Sequence, residues 1–140
     1  MFNLDTHTPF GARVVKRLQD EQVIWLTTVR PDGIPQPNPV WFLWDGETIL
    51  IYSQPGAKKV SHIRQNPRVA LNFNTEESGD DVVVITGVAR IDPDALPVNR
   101  NAAYLKKYTQ GIFDINSTPD RMSQDYSTIL RITPRHLRGW

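Results

Sequence analysis

The sequence predicts a mainly β domain: a small six-stranded barrel with peripheral helices. Three observations carry that expectation. Short runs such as Val23–Val29 and Thr48–Ser53 are dense in β-branched and aromatic residues. Turn chemistry separates several of them, so most connections read as hairpins. Strands and helices do not alternate in the regular order that a doubly wound parallel sheet requires.

The elements follow in order. Thr8-Pro9 places an N-cap and a first-turn proline, and Val14, Val15 and Leu18 keep helical spacing, so a helix is expected from Pro9 to Glu21. Val23–Val29 is a buried strand, and Pro31-Asp32-Gly33 turns the chain. A second strand runs from Gln36 to Leu43. Pro35, Pro37 and Pro39 remove backbone donors there, so it must be an edge or line a cavity. Asp45-Gly46 signals a hairpin into the third strand, Thr48–Ser53.

Pro55-Gly56 breaks the chain before a short helix, Ala57–Asn66, with Ala57, Val60 and Ile63 facing inward and Pro67 ending it. Arg68–Asn74 alternates as the fourth strand. Glu76, Glu77, Asp80 and Asp81 form an exposed acidic loop with Ser78-Gly79. Asp81–Ile91 is the fifth strand, with Gly87 as a bulge or a close backbone approach. A helix after Asp94 carries Val98, Ala102 and Leu105 on one face, and Gly111 ends it. Thr118-Pro119 opens a short helix to Tyr126. Thr128–Thr133 is the sixth strand, and an arginine-rich tail runs to Trp140.

A chain of 140 residues fits one domain, residues 1–140. The absence of cysteine excludes a disulfide framework, a thiolate nucleophile and a cysteine-based metal site. No apolar run reaches membrane-spanning length, and the first ten residues lack a basic and then apolar leader, so a cytoplasmic protein without membrane contact is expected. The net charge is only +1, which disfavours a nucleic-acid partner. Its layout is uneven. Lys58, Lys59, Arg64 and Arg68 fall in one acid-free stretch, and Arg131, Arg135 and Arg138 in another.

No constellation supplies its own nucleophile. The three histidines lack metal-ligand spacing, and no phosphate-loop or nucleophile-elbow motif is present. An enzyme built this way needs a cofactor for the chemistry. The best candidate site is Tyr52-Ser53-Gln54-Pro55-Gly56-Ala57-Lys58-Lys59. A strand ends, a Pro-Gly turn brings backbone close, and a helix opens with two lysines where its dipole is already positive. A phosphate there explains them; so does a pair of solvated lysines. The second candidate is the strand through Val40, Trp41 and Phe42, whose free backbone groups can read the edge of a heteroaromatic ring. Trp41 and Trp44 also suit a core.

These segments resemble the flavin- and deazaflavin-binding split β-barrels of the pyridoxamine 5′-phosphate oxidase-like group. The resemblance rests on Leu26–Val29 with Pro31-Asp32-Gly33, on Pro37–Phe42, and on Ile51-Tyr52-Ser53. It continues through Lys58-Lys59, Ile63–Leu71 and Gly87–Ile91. Arg131-Ile132-Thr133-Pro134, with Arg138 and Trp140 after it, resembles the subgroup that uses coenzyme F420.

The resemblance implies a homodimer with the cofactor, F420 or alternatively FMN, at the interface. It places the ring along Val40, Trp41 and Phe42 and the phosphate at Tyr52, Ser53, Lys58 and Lys59, with Trp140 or Trp44 walling the pocket. The implied activity is an oxidoreductase moving hydride to or from a small organic substrate. A non-catalytic flavin- or haem-binding module is a further alternative. Ala57-Lys58-Lys59 replaces the Ser-Arg-Lys of the vitamin B6 oxidases and loses the bidentate guanidinium, which argues against that substrate.

Overall fold

The computed structural model describes Phe2 and residues 4–140. Its elements are α1 (Pro9–Asp20), β1 (Val23–Val29), β2 (Pro35–Trp41), β3 (Leu43–Trp44), β4 (Ile49–Ser53), α2 (Lys58–Gln65), β5 (Arg68–Asn72), β6 (Val83–Ile91), a 3-10 turn Val98–Arg100, α3 (Ala102–Asp114), α4 (Pro119–Asp125) and β7 (Thr128–Gly139). All seven strands form one sheet in the order β2-β1-β5-β6-β7-β4-β3, and every neighbouring pair is antiparallel.

The sheet's two edge strands, β2 and β3, are consecutive in the chain and separated only by Phe42. The sheet therefore curls until its edges meet at that residue, giving a split barrel. This corrects two expectations. There are seven strands rather than six, and the second strand does not run unbroken to Leu43. Phe42 leaves the ladder because it must turn the chain from one edge of the sheet to the other.

Caps and turns follow local chemistry. The Thr8 side chain accepts from the Gly11 N–H at 3.0 Å, starting α1 where Pro9 needs no donor. Gly33 (φ +87°) and Gly46 (φ +98°) supply the left-handed positions of the β1–β2 and β3–β4 turns. Gly87 marks the shift in the β6–β7 register, and a Cβ there would sit 2.3 Å from the Thr133 carbonyl oxygen.

Two apolar layers share β4. Ile49 and Ile51 point into the barrel with Leu18, Ile24, Leu26, Phe42, Leu71 and Ile85. Leu50 and Tyr52 point outward, against Tyr104, Tyr108 and Ile112 of α3 and Met122 of α4. On α2, Val60 and Ile63 are buried as expected. His62 is also buried and shares a 2.9 Å hydrogen bond with Thr28 of β1.

Four further expectations are corrected. Gly111 does not end a helix but sits inside α3, where a Cβ would approach the Trp41 indole to 3.0 Å; close packing explains the glycine. Val98 is buried in the 3-10 turn and Leu105 packs against the core as expected, but Ala102 is exposed and the buried face of α3 is Tyr104, Tyr108 and Ile112. The arginine-rich tail is ordered strand, because Val83–Thr86 pair with Gly139–His136 and extend β7. Asp81 also leaves the solvated acidic cluster. It ion-pairs with Arg13 at 2.8 Å and Arg17 at 3.3 Å and ties the loop to α1.

Candidate functional site

The β1–β2 ladder fixes which backbone groups of the edge strand are free. Residues 35–41 pair with residues 29–23, and only Gln36, Asn38 and Val40 can donate toward β1 between the prolines. Pro35, Pro37 and Pro39 therefore turn their carbonyls to the open edge, and Trp41, of the same parity, turns its N–H and C=O there. Beside this edge lies a cavity of about 270 Å³. Pro39, Val40 and Trp41 line one side of it, and Tyr52 and Lys59 line another. Tyr104, Ile115, Met122 and Tyr126 close it from the helical layer.

Aromatic contacts hold this wall in place. The Trp41 indole stacks on Tyr108, with centroids 4.7 Å apart. Tyr104 lies 4.7 Å from Tyr108 and 4.6 Å from Tyr52. The Tyr108 hydroxyl fills the end of the β1–β2 ladder. It accepts from the Phe42 N–H at 2.8 Å and lies 2.6 Å from the Gln22 carbonyl and 2.9 Å from that of Phe42. Lys107 donates to the same Phe42 carbonyl at 2.9 Å, and its ammonium sits 3.7 Å from the Phe42 ring centroid. Burial lowers the Lys107 pKa to about 8.

The polar groups divide into engaged and free. Tyr52 donates to the Leu96 carbonyl at 2.6 Å and accepts from the Asn101 side chain at 2.9 Å. Lys59 is half-buried in the cavity wall and its pKa is pushed down by desolvation. Among the described residues it forms no ion pair and no hydrogen bond. A half-buried ammonium without a partner is costly, and an anionic ligand would offset that cost.

The sequence-expected site residues separate as follows. Val40, Trp41, Tyr52 and Lys59 share the cavity. Lys58 is exposed in the first turn of α2, next to Lys59. Phe42 is a core side chain whose backbone groups are taken by Tyr108 and Lys107. Ser53 is buried, follows Tyr52 onto the opposite face of β4, and donates to the Gln54 carbonyl. Trp140 is exposed at the far end of β7. Ser53 pairs with Thr128, so Trp140 lies roughly 35–40 Å away along the strand. Trp44 lines a different hollow, with Phe2 and Leu4. Arg131 is occupied by Asp92 at 2.7 Å and Asp45 at 3.0 Å. Sequence reading missed Tyr104, Ile115, Met122 and Tyr126; the spacing of Tyr104, Tyr108 and Ile112 at i, i+4 and i+8 was the available signal.

Comparison with known proteins decides the family. The sequence matches the pyridoxamine 5'-phosphate oxidase family over residues 10–140. The chain belongs to that family. Among curated proteins no match was found.

Solved structures carry the same fold as this family member. A pyridoxamine 5'-phosphate oxidase homologue from Listeria innocua superposes with a TM-score of 0.66 at 22% identity, covering 91% of this chain and 94% of its own. An F420 reductase gives a TM-score of 0.66 at 26% identity, over 88% and 94% of the two chains. A haem storage protein from Vibrio cholerae gives 0.65 at 16% identity, over 94% and 95%.

Proposed function

We propose that this chain binds a flavin-type cofactor, coenzyme F420 in the leading reading, and serves as an oxidoreductase acting on a small organic molecule. One observation carries the proposal: Lys59, half-buried and without a partner among the described residues, stands in a cavity bordered by the free edge of β2. The site fits such a group. Pro39, Val40 and Trp41 present a flat wall with backbone acceptors and a donor, while Lys59 and the exposed Lys58 place positive charge at the opening of α2. The 26% identity to an F420 reductase supports the deazaflavin.

The cavity volume of about 270 Å³ lies just below the ~300–1,000 Å³ of pockets that enclose a whole drug-sized ligand. It suits a ring system better than a complete cofactor with its tail. In this reading the tail runs out past Lys58 and Lys59, and a second copy of the chain covers what one copy leaves open. Trp140 then reaches a cofactor only if that cofactor sits on the partner copy. When bound, the cofactor supplies hydride transfer. The chain's own residues orient the ring (Val40, Trp41), anchor the phosphate (Lys59, Lys58) and exclude water (Met122, Ile115).

FMN is the second reading, and Arg131 favours it. That arginine is consumed by Asp92 and Asp45, so less positive charge remains for a polyanionic tail than the sequence suggests, and one phosphate matches Lys58 and Lys59. Haem storage draws no support from this cavity, whose lining holds no histidine. The test is a titration of the purified protein with F420 and with FMN, followed by fluorescence quenching and calorimetry. Tight F420 binding supports the leading reading, FMN binding alone moves the assignment to FMN, and binding of neither overturns both.

A further inference from the structure

Helix α2 has little in its own sequence to hold it where it lies. It is eight residues long, Ala57 caps it without a side-chain hydrogen bond, and no acidic residue offsets Lys58 and Lys59 in its first turn. Val60 and Ile63 bury an apolar edge, a non-directional contact that keeps α2 on the barrel without fixing its register. The directional contact comes from His62. Its ring shares a 2.9 Å hydrogen bond with the hydroxyl of Thr28 on β1, and both residues are buried. Among the described residues this is the one side-chain hydrogen bond from α2 to another element, and α2 makes no ion pair. Burying a histidine and a threonine hydroxyl costs stability unless each satisfies the other, so their pairing favours one position of the helix.

The bond connects the two ends of the candidate site. Lys59 and His62 are spaced i and i+3, on one face of α2. Thr28 belongs to the strand whose ladder carries the ring wall, since Trp25 and Val23 of β1 pair with Pro39 and Trp41. We propose that His62 is a positioning residue. Through Thr28 it sets the separation between the Lys59 ammonium and the β2 wall, so that a cofactor is held by its phosphate and its ring at once. The inference rests on the proposed reading that this cavity takes such a cofactor. A ring alone touches one end of the clamp and is indifferent to the spacing. A ring that carries a phosphate engages both ends, and its second contact is strengthened when the ends are held at the matching distance.

The test compares probes that share a ring and differ in the phosphate: FMN with riboflavin, and F420 with its phosphate-free deazaflavin core. Thr28→Val removes the hydroxyl at nearly constant shape, and His62→Leu removes the ring nitrogen from the other side. His62→Asn returns a polar atom close to the Nδ1 position. Calorimetry should show both Thr28→Val and His62→Leu weakening the phosphate-bearing probe about 5- to 10-fold, the equivalent of one hydrogen bond, and the phosphate-free probe less than about 2-fold. His62→Asn should recover most of the lost preference. Thermal melting checks that each variant is folded. Equal weakening of both probes would make the bond a general structural contact and overturn the proposal; so would an unchanged preference in both Thr28→Val and His62→Leu. Those outcomes leave the cofactor reading standing. Wild-type protein that binds neither FMN nor F420 removes the cofactor reading, and this inference falls with it.

Discussion

The indole of Trp41 lies parallel to the phenol ring of Tyr108, with 4.7 Å between centroids and 8° between planes. This stack joins the free edge of the sheet to helix α3. Its two members do different work: Trp41 borders the cavity, while the Tyr108 hydroxyl closes the point where the barrel splits, at Phe42. The position of the cavity wall therefore depends on how firmly Phe42 is held.

Tyr108→Phe keeps the ring stack but leaves the Phe42 N–H and the Gln22 carbonyl without their partner. The expected cost is about 1–3 kcal/mol, the range for buried polar groups left unpaired. Urea denaturation measures it. A change below about 0.5 kcal/mol would mean that the hydroxyl does not secure the split.

Gly111→Ala sets two effects against each other. Alanine gains about 1 kcal/mol of helix propensity. Its Cβ, however, would lie 3.0 Å from the rim of an indole that already stacks on Tyr108. Overpacking of this kind costs about 1–3 kcal/mol, so a net loss of roughly 1 kcal/mol is expected. A shifted tryptophan emission should accompany it, and stabilisation without any spectral change would contradict the packing argument.

Asp92 accepts from Arg131 at 2.7 Å, and that bond holds its carboxyl pKa below the ordinary value. A depressed carboxylate contributes stability above its unfolded pKa of about 4 and loses it as pH falls through the lower folded value. Acid unfolding should therefore include this group below about pH 4. Asp92→Asn should cost about 3 kcal/mol at neutral pH and flatten that acid limb. Equal pH dependence of the two proteins would count against it.

Lys107 gives a slope of the same sign at the alkaline end of the pH range. Its folded pKa of about 8 lies below the unfolded value of about 10.4, so the unfolded chain binds more protons between them. Stability should rise from about pH 8 to pH 10, by about 1 kcal/mol after allowing for partial solvent screening. Lys107→Met should remove the rise. Thermal melts across that range decide the matter.

Much of the frame was legible because local chemistry agreed with the fold. Val23–Val29 is the β1 strand residue for residue, the proline-rich segment is an edge strand, and Gly87 marks the β6–β7 irregularity. The misses have one cause, tertiary contact overriding local signals. Phe42 interrupts a strand with no proline or glycine at the break, because the barrel must change edge there. Gly111 resembles a helix stop but makes room for Trp41, and a tail rich in arginine pairs with β6 on both sides of the irregularity at Arg135. At the site, Lys59 and Tyr52 were readable from the strand-turn-helix pattern. Tyr104 carried only a helical spacing with Tyr108 and Ile112, and Tyr126 carried no signal, since only the packing of α3 and α4 over β4 brings them to the cavity.

The central claim is that Lys59 anchors the cofactor, and a titration comparing wild-type protein with Lys59→Ala addresses it most directly. We expect F420 to bind the wild type saturably and the variant about 10- to 150-fold more weakly, the equivalent of one charge-assisted hydrogen bond worth about 1.5–3 kcal/mol. Equal affinity in the two proteins, or no binding of F420 or FMN to the wild type, would contradict the account.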